Sequence, residues 1–217
     1  MDKHSIGDKC STENNPQAHR IGIFIYDDAE VLDFAGPFEV FSTAQRLIQG
    51  SYPPLEVFLV AESTAPIKAR GGFLVTPSYS IHQHPPLDTL LIAGGVHERV
   101  MHRPMVQHWL QQQCHSVDNL ASVCTGVFLL AESGILHQHS VTTHWEDQAD
   151  LQRRYPQLKV IADKRWVEAN TSQPRIISSG GISAGIDMSL HILGLICDQA
   201  LAIRTAKQME FDWQIDV

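Results

Sequence analysis

Cys124 is the side chain whose sequence context most favours covalent chemistry. It stands between an apolar run, 119–123, and a segment with helical spacing that ends at Gly134. A residue at such a junction occupies a sharp strand-to-helix turn, which requires small residues two positions to either side; here these are Ser122 and Gly126. A thiol at the start of a helix has a pKa of roughly 3.5–7.5. The pattern therefore predicts a nucleophile, and the alternative is a small buried hydrophobic side chain.

Asp33 is the second candidate for a reacting group. It is a lone acid between Leu32 and Phe34, just after the first predicted strand. Ligands of open α/β sheets bind beyond the carboxyl ends of the strands, and a carboxyl group in apolar surroundings has a raised pKa and can hold a proton. Asp33 is therefore a candidate general acid, and the alternative is a cap for the helix that follows.

Two adjacent glycines, Gly94 and Gly95, end another apolar run that begins at Asp88. Paired glycines at the end of a strand allow backbone N–H groups to approach a ligand closely. These groups could act as an oxyanion-type donor beside the N–H that follows Cys124. An ordinary tight turn between a strand and a helix explains the same pattern.

Strands that alternate with helices must position these residues, and such alternation predicts a parallel sheet covered on both faces. The predicted strands are 20–26, 55–61, 88–93, 118–123 and 175–178, with short strands at 158–161 and 165–168 and a hairpin over 67–76 at the sheet edge. The first predicted helix has Pro37 in its first turn, and the others cover 104–113, 126–133, 146–155, 186–197 and 200–210. Over 104–113, we expect Met105, Trp109 and Leu110 to face inward.

The composition excludes several classes of protein. The chain has 217 residues, of which 43% are hydrophobic and 18% charged, so it can bury a core. A formal net charge of −8 disfavours nucleic acids and acidic membranes as partners, and no apolar run approaches the roughly 18 residues of a membrane span. We expect a disordered tail over 1–19, without a signal peptide, and a single domain over 20–217. The four cysteines form no C-x-x-C pair, so reduced thiols and a cytoplasmic location are expected.

No metal or cofactor is expected. The twelve histidines include the pairs His82/His84 and His137/His139, but neither pair has acids or cysteines at a ligand spacing, and surface loops explain them better. The sequence also lacks a Walker loop and a G-x-G-x-x-G motif after the first strand.

Taken together, these pieces resemble the ThiJ/PfpI superfamily, whose domain is similar to the class I glutamine amidotransferases. The resemblance covers about residues 20–213 and is greatest to the isonitrile hydratase subgroup and to the sensor domains of AraC-type transcription regulators. It is specific only as a set of five stretches: Val31–Pro37, Ile92–Gly95, Ser122–Gly126, Thr142–Trp145 and Gly180–Asp187.

The resemblance implies a flavodoxin-like three-layer α/β/α sandwich with a mostly parallel sheet, a nucleophile elbow at Cys124 and a homodimer. In many members a Glu after the first strand contacts the cysteine; here the corresponding acid is Asp33, as in isonitrile hydratases. Protease-type members have a His directly after the cysteine, and Thr125 stands there, so neither peptidase nor amidotransferase activity is expected. AraC-type regulators continue into a helix-turn-helix pair, whereas this chain stops at Val217, so direct DNA binding is not expected.

Three hypotheses for function follow, and the resemblance favours the first. It is a lyase-type enzyme that hydrates a small isonitrile to an N-substituted formamide, with Cys124 as nucleophile, Asp33 as general acid and Thr125 orienting water or substrate. The second is a sensor-like domain that binds a small molecule without chemistry, and the third is a redox protein in which Cys124 is oxidised to a sulfinic acid. The oxyanion and pocket candidates are Gly94, Gly95, Gly126 and His144, although His144 is equally compatible with simple packing.

Overall fold

The structure is a computed structural model that describes residues 17–50, 52–169, 171 and 174–215. The predicted tail, except for its last residues, and Cys10 lie outside the described residues. The strands are β1 His19–Phe24, β2 Leu55–Ala61, β3 Ile67–Lys68, β4 Leu74–Val75, β5 Tyr79–Ser80, β6 Thr89–Ile92, β7 Asn119–Val123, β8 Ser140–Val141, β9 Lys159–Val160, β10 Trp166–Glu168 and β11 Arg175–Ser179. The α-helices are α1 Val31–Leu47, α2 Glu98–Met101, α3 Pro104–Cys114, α4 Gly126–Glu132, α5 Gln148–Arg154, α6 Ala184–Ile196 and α7 Gln199–Gln208.

A seven-stranded sheet in the order β10-β11-β7-β6-β1-β2-β5 forms the centre of the fold. Every pair is parallel except β10 with β11. Every residue of β6 and β7 is buried, as expected for strands covered on both faces. Helices α1, α6 and α7 contact one another, and α2, α3 and α4 form a second group. The predicted α/β fold with a mostly parallel sheet is therefore confirmed.

The predicted hairpin is present, but it does not form the edge of this sheet. Strands β3 and β4 pair with each other as an isolated antiparallel ladder. The edge is instead β5, in which Tyr79 and Ser80 pair with the end of β2. The two glycines between β3 and β4, Gly71 and Gly72, both have positive φ, so the chain reverses there before it reaches the sheet.

Helix α1 begins about six residues earlier than predicted, at Val31 rather than at Pro37. Proline 37 lies inside the helix, where it lacks only the N–H that would bond to the carbonyl group of Asp33. Asp33 therefore belongs to the first turn of α1, although Glu30 is the capping residue. The inward face of α3 also differs from the prediction, because Met105 is 56% exposed and Val106 is buried in its place.

Helices in the described ranges are all too short or too polar to cross a membrane.

Candidate active site

Cys124 occupies the sharp turn between β7 and α4 that the sequence predicts. Its φ is +54°, a left-handed conformation that is uncommon for residues other than glycine and that collects at functional sites. Two hydrogen bonds hold this conformation: the Cys124 N–H donates to the Gly180 carbonyl group (3.2 Å), and the Thr143 hydroxyl donates to the Cys124 carbonyl group (2.8 Å). The thiol is thus fixed at the carboxyl edge of the sheet.

Glycines let the elbow and the end of β6 approach each other closely. A Cβ atom on Gly126 would lie 2.3 Å from the carbonyl oxygen of Ile92. A Cβ atom on Gly94 would lie 2.6 Å from Asp33 Oδ2 and 2.7 Å from both Cys124 Cβ and the Thr125 nitrogen. Both glycines support the site by close packing, and neither lies on the wall of the cavity described below.

Asp33 lies behind the thiol and is fully buried. Its Oδ2 atom accepts the Gly94 N–H (3.1 Å) and its Oδ1 atom accepts the Ile182 N–H (3.0 Å), so its side chain joins α1 to two loops and does not cap the helix. Burial, helped by the nearby Glu30 charge, raises the pKa of the Asp33 carboxyl group to about 7, although the two N–H groups and the Cys124 thiol oppose the rise.

The expected low pKa of the thiol is not what the structure gives. Burial, and then the negative charge of Asp33, raise the pKa of Cys124 above its ordinary value, and a hydrogen bond from the Thr125 N–H only partly opposes them. Helix α4 has only seven residues, so its dipole is a weak counterweight. Because the pKa of Asp33 is about 7 and that of Cys124 is raised above its ordinary value, the thiol and the carboxyl group together hold one proton at pH values just above 7.

The backbone donors predicted at the paired glycines are already engaged. The Gly94 N–H bonds to Asp33, and the Gly95 N–H donates to the Thr125 hydroxyl (2.9 Å). The Thr125 hydroxyl in turn donates to the Gly95 carbonyl group (2.9 Å). These bonds link the elbow to the end of β6. The oxyanion role predicted for Gly94 and Gly95 would require their N–H bonds to break, and the Thr125 hydroxyl can still accept a hydrogen bond from water but has no free proton to donate.

A cavity of about 520 Å³ opens in front of the thiol. Four of the residues predicted for the site line it: Cys124, Thr125, Gly95 and His144. The His144 ring faces the carboxylates of Asp147 (3.6 Å) and Glu146 (3.9 Å), and all three residues line the cavity. The volume is within the roughly 300–1,000 Å³ of small-molecule sites.

The sequence analysis missed several wall residues. Glu30 and Arg70 form an ion pair (3.6 Å) at the rim, and His97 stacks on the Phe128 ring with centroids 4.4 Å apart. Burial lowers the pKa of His97, which favours its neutral form. No spacing rule in the sequence identifies these residues, because three separate loops bring them together.

Ile182 is the least expected of the missed residues. It has a φ of +56°, which is an outlier for a β-branched side chain, and it is 42% exposed at the cavity while its N–H bonds to Asp33. The loop that carries it is held by Arg165, which donates to the Ser183 hydroxyl (3.2 Å) and pairs with the fully buried Asp187. Asp187 lies in the first turn of α6, where the helix dipole favours its charge, and Arg165 pairs with the same carboxylate.

Gly181→Ala is expected to narrow the cavity without unfolding the protein. The added methyl group would lie 2.5 Å from His144 Cδ2 and 3.2 Å from Cys124 Sγ, and a side chain rather than backbone must move. We expect alkylation of Cys124 by iodoacetamide to slow markedly, with a loss of about 1 kcal/mol in the free energy of unfolding. Gly180→Ala is the control, because its new methyl group has nothing closer than 3.5 Å. Equal alkylation rates for the two variants would contradict this account.

An isonitrile hydratase from Pseudomonas putida is 28% identical over 176 residues, which cover 81% of this chain and 71% of that protein. The HTH-type transcriptional regulator GbdR of Pseudomonas aeruginosa is 29% identical over 181 residues, which cover 83% of this chain; the chain spans about half the length of that regulator, 47%.

A solved structure of a ThiJ/PfpI family protein from Pseudomonas syringae has the same fold. It matches with a TM-score of 0.78 at 20% identity and covers 100% of this chain and 84% of that chain. A sequence model of the DJ-1/PfpI family matches residues 19–194, a stretch that runs from the start of β1 into α6 and contains Asp33, the elbow and the Ile182 loop. The chain therefore belongs to the DJ-1/PfpI family.

Proposed function

We propose that this protein is a cysteine-dependent enzyme that hydrates a small isonitrile to an N-substituted formamide. The observation that carries the proposal is the Cys124–Asp33 pair: the thiol lies on the wall of a cavity of small-molecule size, and the buried carboxyl group of Asp33 lies behind it. An isonitrile carbon must gain both a nucleophile and a proton, and this pair contains one of each. The relative named isonitrile hydratase, at 28% identity, supports the same choice.

The first half of the reaction uses the pair in its thiolate and carboxylic acid form. The proton moves from Sγ to the Asp33 carboxylate, and the thiolate attacks the terminal carbon of the isonitrile. Asp33 then gives its proton to that carbon, which produces a thioimidate, R–N=CH–S–Cys124, and leaves Asp33 as a carboxylate. The burial that raises the pKa of Asp33 to about 7 makes this transfer possible near neutral pH.

The second half consumes one water molecule. Asp33 removes a proton from the water as its oxygen attacks the thioimidate carbon, and that proton is passed to the nitrogen. The tetrahedral adduct expels the sulfur, its hydroxyl proton returns to the Cys124–Asp33 pair, and R–NH–CHO is released. The sum is R–N≡C plus H₂O, and neither an oxidant nor a cofactor is consumed.

A second candidate function is binding of a small metabolite without chemistry. The raised pKa of Cys124 favours it, because a protonated thiol is a poor nucleophile, and the relative named HTH-type transcriptional regulator GbdR supports it. In that case the cavity would hold its ligand through the wall residues, and Cys124→Ala would leave binding intact.

Incubation with a simple alkyl isonitrile, such as cyclohexyl isonitrile, tests the proposal. We expect the wild type to form the N-alkyl formamide, with one oxygen atom from ¹⁸O-labelled water, and Cys124→Ala to form none. Cys197→Ala is the matched control, because that thiol lies at the end of α6 and does not line the cavity. Formamide from wild type and Cys124→Ala alike, or from neither, would refute the assignment and move the binding function ahead.

A further inference from the structure

The loop 180–183, between β11 and α6, contacts both members of the reacting pair through its backbone. At one end, the Gly180 carbonyl group accepts the Cys124 N–H (3.2 Å). Near the other end, the Ile182 N–H donates to Asp33 Oδ1 (3.0 Å). Cys124 and Ile182 also both have a positive φ. Backbone strain of this kind persists only where the surrounding structure holds it, so something must fix the loop.

Arg165, just before β10, holds both ends of this loop. Its backbone carbonyl group accepts the Gly180 N–H (2.9 Å), and its Nη2 atom donates to the Ser183 hydroxyl (3.2 Å). The guanidinium is itself anchored, because its Nε donates to Asp187 Oδ2 (2.8 Å) and its Nη2 pairs with the same oxygen. Asp187 is fully buried, and its other oxygen accepts the Gln214 N–H (3.0 Å). One arginine therefore connects a fixed, buried anion to the loop that contacts both reacting residues.

We propose that Arg165 is a positioning residue of the proposed reaction, and that by holding the loop 180–183 it sets the placement of Cys124 and Asp33 relative to each other. The inference rests on the reactive pair of the proposed function and goes beyond it, because Arg165 does not line the cavity and acts through the loop. A guanidinium suits this task, since its N–H donors form a rigid planar fork that can hold two acceptors at a set angle.

The contact between the loop and Asp33 affects the chemistry of the pair as well as its geometry. An N–H group that donates to a carboxylate stabilises the ionised form. Burial raises the pKa of Asp33, and the hydrogen bond from the Ile182 N–H opposes that rise. A loop that moves away from Asp33 therefore weakens this bond and lets the pKa of the carboxyl group rise further. The pH at which the pair loses its first proton consequently reports where the loop lies.

Arg165→Lys is the test variant, because it keeps a positive charge beside the buried Asp187 carboxylate. A single ammonium group replaces the planar fork, so it cannot hold Asp187 and the Ser183 hydroxyl in the same geometry. Arg175→Lys is the matched control. It makes the same substitution at the opposite end of β11 from the loop, where Arg175 forms a partly exposed ion pair with Glu168 (3.7 Å).

Alkylation of Cys124 by iodoacetamide tests the proposal without any substrate. The rate is followed by peptide mass spectrometry from pH 5 to pH 10 in wild type and both variants. We expect Arg165→Lys to shift the midpoint of the pH profile upward by about 0.5–1 unit and Arg175→Lys to match wild type. In a parallel turnover assay, kcat of Arg165→Lys should fall by about 10–100-fold with KM nearly unchanged, since misplacing reacting groups by about 1 Å can cost about 10²-fold.

An Arg165→Lys protein that folds and alkylates with the midpoint of wild type would overturn the inference, because the ion pair would then support only the fold. If Arg165→Lys does not fold, Ser183→Ala decides. It removes only the hydroxyl that the guanidinium holds, and that hydroxyl makes no capping hydrogen bond to α6. An upward shift of its midpoint supports the proposal, and the wild-type midpoint overturns it. A shifted midpoint in a protein that turns over no isonitrile would refute the proposed function and leave this inference standing.

Discussion

Asp33→Asn is expected to lower kcat/KM for isonitrile hydration by about 10²–10⁴-fold, the usual contribution of a positioned general acid. An amide cannot supply the proton that the isonitrile carbon must gain. It also accepts fewer hydrogen bonds, because both oxygens of Asp33 accept an N–H, from Gly94 and from Ile182, and Asn has one oxygen for the two. The product is measured by mass spectrometry at saturating and limiting substrate.

The pH dependence of kcat/KM should also differ between the wild type and Asp33→Asn. In the wild type, the pair holds two protons below about pH 7 and one proton above it, and only the form with one proton contains a thiolate together with an acid. We therefore expect kcat/KM to rise with pH through about 7 and then to level off. In Asp33→Asn this step should disappear, and the residual rate should keep rising into the alkaline range with the ionisation of the buried thiol.

Glu30→Gln is the control for this variant. Glu30 lies on the rim of the cavity in an exposed ion pair with Arg70, and such pairs contribute about 0–1 kcal/mol. Its kcat/KM should stay within about fivefold of wild type. The midpoint of its pH profile should move downward, because the negative charge of Glu30 helps to raise the pKa of Asp33. Equal losses in the two variants would contradict the role assigned to Asp33.

As the pH rises through about 7, ionisation of the Asp33 carboxyl group should increase the activity but lower the stability of the folded protein. Its pKa is raised from 3.8 to about 7 on folding, so its contribution to stability is complete below pH 3.8 and is lost as the pH rises through about 7. The difference in the free energy of unfolding, wild type minus Asp33→Asn, should fall by about 2–3 kcal/mol between pH 5 and pH 8. Urea unfolding at the two pH values measures it, and a difference that grows with pH would contradict the assignment.

The sequence predicts which residues meet at the site better than it predicts their chemistry. Asp33 and Cys124 each follow a parallel strand, and the carboxyl ends of parallel strands share one edge, so their proximity follows from the alternation of strands and helices. The pKa of Cys124 depends instead on how completely the fold buries the thiol and on its distance from Asp33, and the spacing of residues along the sequence predicts neither quantity. The helix-terminus rule therefore gave the wrong direction.

Loops limited the prediction in a second way. Ile182 supplies one of the two N–H groups on Asp33, but its positive φ contradicts the propensity of a β-branched residue, and no propensity rule selects it. The paired glycines were identified correctly as a place of close approach, yet the approaching groups are protein atoms of Asp33 and Thr125 rather than a ligand. A strained turn and its partner can be recognised together only when the three-dimensional contact is known.

The last prediction with a large effect concerns the close contact between the elbow and the end of strand β6. Gly126→Ala would place a methyl group 2.3 Å from the Ile92 carbonyl oxygen and 3.1 Å from that of Ala93, which belong to the backbone at the end of the central strand β6. No side-chain rotation relieves this contact, so the elbow must move away from β6. We expect the free energy of unfolding to fall by about 3 kcal/mol or more, a large share of the 5–15 kcal/mol typical of a domain.

Gly194→Ala is the matched control, because it makes the same chemical change inside α6, where the new methyl group has nothing closer than 3.8 Å. Removing a glycine from a helix interior should stabilise the protein by about 0.5–1 kcal/mol. Urea unfolding compares the two variants with wild type. If Gly126→Ala proved as stable as Gly194→Ala, close approach of the two backbones would not be what holds the elbow. If Gly126→Ala is destabilised but still folds, the rate at which iodoacetamide alkylates its Cys124 should depend on pH differently from wild type. The reason is that an elbow displaced from β6 also carries the thiol away from Asp33.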